Sequence, residues 1–121
     1  HRHGVAFWLT QPGGAVLLRR RPDRGLLGGM MEFPSTDWRE APRDEAGARR
    51  AAPVAAGWRA LPGTVSHVFT HFSLALAVWA AELPEGAAAP AGGQWCPLHR
   101  LKDEALPTVM RKVAALAQGA P

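Results

Sequence analysis

"GLLGGMMEFPSTDWREAPRDEAGARRAAPVAAGW", residues 25–58, runs from a glycine-punctuated loop through a short apolar stretch and a helical pattern to Gly57-Trp58. Met30–Phe33 reads as a short strand, and Pro34 stops it because proline cannot donate to a ladder. The spacing predicts a helix over about 43–56, with Asp44 and Glu45 at its positive end, Arg49 and Arg50 further along, and Gly57 ending it. Pro53 conflicts with a helix interior, so the helix either stops near 52 or kinks there.

Strand patterns flank this stretch on both sides. "GVAFWLT", "QPGG" and "AVLLRRR" read as a hairpin about a Pro-Gly-Gly turn. "GTVSHVF" and "HFSLALAVWAAEL" read as two strands, with Phe72, Leu74, Leu76 and Val78 alternating against Ser73, Ala75, Ala77 and Trp79. "PEGAAAPAGG" is a loop and "QWCPL" a short last strand. "LKDEALPTVMRKVAALAQG" closes the chain as a helix with Val109, Val113 and Leu116 or Ala117 on one stripe, Pro107 near its start and Gly119 at its end. The predicted order is β-β-β-α-β-β-β-α, a single α/β (α+β) domain over residues 1–121 with a mixed sheet flanked by helices.

Composition narrows the function classes. An apolar content of 47% over 121 residues suits one folded domain. The longest apolar run, around 72–81, is too short to span a membrane as a helix. One cysteine, Cys96, forms no internal disulfide and builds no metal site alone; it reads as a small buried hydrophobe in a reducing cytoplasm. The net charge of +4 is unevenly spread. Arg19, Arg20, Arg21 and Arg24 crowd together, and Arg111 and Lys112 form a pair, a distribution that suits a polyanion. The chain lacks an initiator Met and enters a strand pattern almost at once, as a piece of something longer would.

The loop–strand–helix–Gly-aromatic order resembles the Nudix fold, whose hydrolases carry G-x5-E-x7-R-E-U-x-E-E-x-G-U with U a bulky aliphatic. Those glutamates hold Mg²⁺, a hard cation that needs oxygen ligands, against a diphosphate. With Gly57-Trp58 set on the closing pair, the motif's arginine falls on Arg50, but three glutamate positions fall on Ala51, Val54 and Ala55. Counting from Gly29, the remaining glutamate position is Ser35, and the segment is about seven residues too long. Glu32, Asp44 and Glu45 are the acids nearby and lack the needed spacing. A stand-alone nucleotide phosphohydrolase is therefore disfavoured, and a non-catalytic protein-interaction module on the same scaffold is a further alternative.

Three stretches taken together, "GLLGGMMEFP", "HVFTHF" and "ALPTVMRK", resemble in order and spacing the Nudix-like C-terminal domain of MutY-type adenine DNA glycosylases. The resemblance implies recognition of 8-oxoguanine opposite adenine in duplex DNA, during base excision repair. It implies no catalytic residue and no metal site in this chain. Cleavage and a 4Fe-4S cluster would belong to a helical N-terminal catalytic domain, the implied partner of this one. The whole would be a cytoplasmic, nucleoid-associated monomer.

Members of that family place a Phe-Ser-His loop at the lesion, and the matching residues here are Phe69, Thr70 and His71, with threonine for serine. His67 matches the histidine before the loop. Threonine keeps the hydroxyl but adds a methyl and stiffens χ1. Without the resemblance, Phe69 reads as core, Thr70 as an ordinary strand former and His67 as a structural hydrogen-bonding group. Thr108, Arg111 and Lys112 on the last helix are either surface residues or phosphate contacts. "GLLGGMMEFP" is first a packing and turn element, in which Gly28 and Gly29 permit close backbone approach. Its loop could touch a phosphate, although Glu32 facing DNA would oppose that.

Overall fold

The protein is described by a computed structural model covering residues 1–90 and 92–119. Strands β1 (Arg2–Gln11) and β2 (Ala15–Arg20) form the expected hairpin, and β3 is Met31–Glu32. Next come helix α1 (Glu45–Ala51) and strands β4 (Arg59–Ala60), β5 (Val65–Val68), β6 (Ser73–Glu82) and β7 (Gln94–Pro97). A 3₁₀ turn at Leu98–Asp103 leads into α2 (Thr108–Gly119). One mixed sheet runs β3-β2-β1-β6-β4, with β5 also on β6 and β7 also on β2. Ala91, inside the segment expected to be a loop, lies outside the described residues.

The parallel pairing of β1 with β6 organises everything else. It runs from Arg2 opposite Leu74 to Thr10 opposite Glu82. Both strands lie inside the sheet, so their two faces are covered and alternate residues feed two cores. Ala6, Trp8, Leu74, Leu76 and Val78 face α2, where Val109, Met110 and Val113 are buried. Val5, Phe7, Leu9 and Trp79 face α1 and Trp58, with Ala48 buried from the helix.

Two expectations need correction, the extent of the first helix and the number of strands. The helix is Glu45–Ala51, shorter than 43–56, and of the two outcomes that Pro53 allowed it takes the early stop: Ala52 turns extended (ψ 148°) as a residue before proline does, so Gly57 does not end it. Asp44 caps the other end by accepting from the Gly47 amide at 2.7 Å. The run after Trp58 contains an extra short strand, β4, paired to Ala80 and Trp79. The last helix holds as expected, from Thr108, directly after Pro107, to Gly119, and Leu98–Asp103 before it is 3₁₀.

Candidate nucleic-acid interface

The β5–β6 hairpin turns at Phe69–Phe72, where the Phe69 amide donates to the Phe72 carbonyl at 2.8 Å. Val68 pairs with Ser73 just below the turn. Thr70 and His71 are outermost and exposed, and among the described residues their amides and side chains find no hydrogen-bond partner. The tip therefore presents one hydroxyl, one imidazole and two free N–H groups to solvent.

The phenylalanines beside that tip are anchored. Phe69 is half-buried against the core that faces α2. Its ring stacks on Trp38 (5.6 Å between centroids, 25° between planes) and tilts onto Phe72 (4.9 Å). The His67 ring meets it edge-on at 4.7 Å. Contacts of this kind contribute about 0.5–1.5 kcal/mol each beyond area burial. Phe69 thus belongs to the core margin and to the tip at once.

Trp38 and Phe72 complete this platform, and neither was identified from the sequence as a site residue. Trp38 arrives from a distant segment because His3 and Arg39 bridge β1 to the 33–39 stretch. It has room because residue 4 is glycine: a Cβ there would lie 2.7 Å from Trp38 Cδ1. A lone tryptophan inside the polar run "STDWREAPRD" was the available signal.

Cations ring the aromatics. The Arg2 guanidinium sits 4.3 Å from the centre of Phe72, and that of Arg21 sits 5.2 Å from Trp38. Lys112, on α2, donates from Nζ to the Ser66 carbonyl at 2.9 Å and lies 3.1 Å from His67 Nδ1. An ammonium group has only donors, so Nδ1 must accept and His67 is neutral with its proton on Nε2. Burial, and then the Lys112 charge, hold the His67 pKa below its ordinary value. Of the residues expected at the site, the structure brings together His67, Phe69, Thr70, His71 and Lys112. Arg111 is not among them: it donates to the Glu104 carbonyl at 2.9 Å and lines a separate cavity with Leu98, Leu101 and Gln118.

The degenerate motif faces a different groove, of about 430 Å³, lined by Thr36, Asp37, Arg39, Arg43, Gly47, Arg50 and Ala51. Val54 and Ala55 lie beyond the end of α1, so carboxylates at those positions would no longer share its face. Among the described residues no three His, Cys, Asp or Glu side chains are grouped to hold a metal. The donor set does not fit magnesium. Glu32 is 3% exposed and turned inward, bound by Arg19 Nε and Arg21 Nη1 at 2.7 Å each. It faces no solvent on the loop side, which removes the expected objection to that loop meeting an anion.

Comparison with known proteins gives the family and the fold. The human adenine DNA glycosylase is 36% identical over 124 residues, an alignment that takes in 92% of this chain and 22% of the human protein. The chain thus spans less than a quarter of that relative's length. The C-terminal domain of mouse MUTYH, solved in complex with human PCNA, superposes with a TM-score of 0.79 at 28% identity, covering 98% of this chain and 88% of that one. A MutT protein from Methanosarcina mazei Go1, 17% identical, shares the fold with a TM-score of 0.72 over 97% of this chain and 93% of its own. The NUDIX domain model matches residues 5–116, and the chain belongs to that family.

Proposed function

We propose that this chain is the lesion-reading domain of an adenine DNA glycosylase and that it holds 8-oxoguanine, paired with adenine, through the Phe69–His71 tip. The observation that carries the reading is the exposed Thr70 hydroxyl beside two unpaired amides, on an aromatic mount ringed by Arg2, Arg21 and Lys112. The similarity to adenine DNA glycosylases supports it.

Ordinary guanine offers an acceptor at N7 on its major-groove edge. Oxidation at C8 turns N7 into a donor and places a carbonyl acceptor beside it. Thr70 Oγ1 accepts from N7–H while a tip amide donates to the new carbonyl. The hydroxyl alone does not discriminate, because it rotates and donates to an ordinary N7. The amide cannot rotate, so the pair of contacts does. Phe69 stacks or wedges beside the base, and His71 steadies the adjacent phosphate, more strongly when protonated.

Cleavage of the adenine bond belongs to a part of the glycosylase outside this chain, as does its 4Fe-4S cluster. Cys96, 5% exposed, is the single cysteine of the sequence and cannot supply four thiolates. The test is the double substitution Phe69→Ala with Thr70→Ala in the intact glycosylase. Its preference for 8-oxoguanine:A over G:A is expected to fall by about 5- to 150-fold, the equivalent of roughly 1–3 kcal/mol. Parental discrimination in that variant removes the tip from the reading.

A further inference from the structure

The function proposed above employs the hairpin tip and leaves the "GLLGG" turn idle, although that turn is strained and reaches the same surface. Leu27 adopts φ 59°, a left-handed conformation that is unfavourable for a non-glycine residue. The strain turns Leu27 inward against the main core and leaves Leu26 outward at 42% exposure. Among the described residues the large apolar side chains left exposed are Leu26 and Val68, and Leu26 shares a cleft with Trp38.

Arg21 ties the turn to that mount. Its Nε donates to the Leu26 carbonyl at 3.2 Å, its Nη1 binds buried Glu32, and its plane lies over Trp38. Between turn and mount lies a cleft of about 280 Å³, lined by Arg2, Arg21, Leu26, Thr36, Asp37 and Trp38. Arg2 stacks on Phe72 and, among the described residues, spends none of its guanidinium donors on the protein. Asp37, the one acid lining the cleft, is already bound by Arg39 and Arg43.

From this arrangement we propose that the cleft takes a sugar–phosphate unit of the lesion-bearing DNA strand, beside the base read at the tip. Arg2 donates to the phosphate oxygens, and Leu26 covers the apolar edge of the sugar. Stacking holds the Arg2 guanidinium in place before DNA arrives, so little side-chain freedom remains to be lost on binding. Such a contact is indifferent to sequence and to oxidation, because phosphates position and bases specify.

The proposal rests on the reading of this chain as a DNA-binding domain, but its readouts differ from those of the tip. The 121-residue chain is titrated, by nuclear magnetic resonance at low salt, with a short duplex carrying 8-oxoguanine:A and with its G:A counterpart. Leu26 methyl and Trp38 indole resonances are expected to move with both duplexes. Arg2→Gln is expected to weaken both affinities alike, by roughly three- to tenfold, and to reduce the log–log salt slope by about 0.9. Leu26→Ser, at an exposed position, should weaken both duplexes without changing their ratio. Shifts at the cleft with a silent tip uphold the cleft and overturn lesion reading by Thr70. Shifts at the tip with a silent cleft, and an Arg2→Gln variant with parental affinity and slope, overturn the cleft. Silence at both overturns both.

Discussion

At the Phe69–Phe72 turn the outermost polar groups face water unpaired, whereas in the groove beside α1 Thr36, Asp37, Arg39 and Arg43 are spent on one another. Arg43, its side chain only 6% exposed, donates to Thr36 Oγ1, the Asp37 carbonyl and the Asp37 carboxylate. Thr36 Oγ1 in turn accepts from the Val5 amide at 3.0 Å, fastening the groove to the central strand. Asp37 is held below the usual carboxylate range: burial raises it, but the hydrogen bond from Arg39 and the charges of Arg43 and Arg39 outweigh that. Groups satisfied internally hold a fold together, and groups left over are available to a ligand. The groove beside α1 serves the fold through these bonds, and the hairpin tip carries unpaired donors.

The comparison can be broken first on its structural side. Arg43→Met strips three hydrogen bonds centred on a side chain only 6% exposed, and the largest fall in urea midpoint is expected here, with the ratio of 8-oxoguanine:A to G:A binding unchanged. A variant of parental stability would show the groove to be as loosely held as the tip. A loss of about 1 kcal/mol is expected of Gly4→Ala, because the new methyl meets Trp38 and Leu76 and these must give way. The near-ultraviolet circular dichroism of Trp38 should change with it. An unchanged spectrum would mean that Trp38 is not seated over β1.

The smallest effect concerns His67. Its folded pKa is depressed, first by burial and then by Lys112, so the unfolded chain holds the proton more tightly. The neutral contact therefore contributes fully above about pH 6.5 and is lost as pH falls through the lower folded value. Resonance titration should place the His67 midpoint below the ordinary histidine value. Lys112→Met should move it back up only partly, since burial remains. A midpoint at or above the ordinary value in the parent would contradict the donor role given to Lys112.

Much of the architecture was legible because it is local. The β1–β2 hairpin announces itself by "QPGG", β6 by strict alternation, and α2 by its stripe and its flanking Pro107. The helix α1 was overextended because its composition continues past Ala51, while the backbone stops where Pro53 removes a donor. The tip was legible as "FTH" at a strand mouth, and the loss of motif carboxylates from Ala51, Val54 and Ala55. What supports the tip was not. Trp38 reaches Phe69, and Lys112 reaches His67, across long stretches of chain, through the parallel β1–β6 pairing and the packing of α2. No local pattern encodes such meetings. The lone Trp38 in a polar run and the glycine at residue 4 are their traces in the sequence, and the glycine acquires meaning only once Trp38 lies above it.

The most direct measurement compares Thr70→Ser with Thr70→Val in the intact glycosylase, by affinity for 8-oxoguanine:A and G:A duplexes at one salt concentration. Valine keeps the shape and branching of threonine without its oxygen, whereas serine keeps the oxygen without the methyl. The expected result is parental discrimination for serine and a loss of roughly fivefold or more for valine, with undamaged duplex bound equally by all three. Valine discriminating as well as threonine would contradict a hydroxyl at the tip as the reader of the oxidised base.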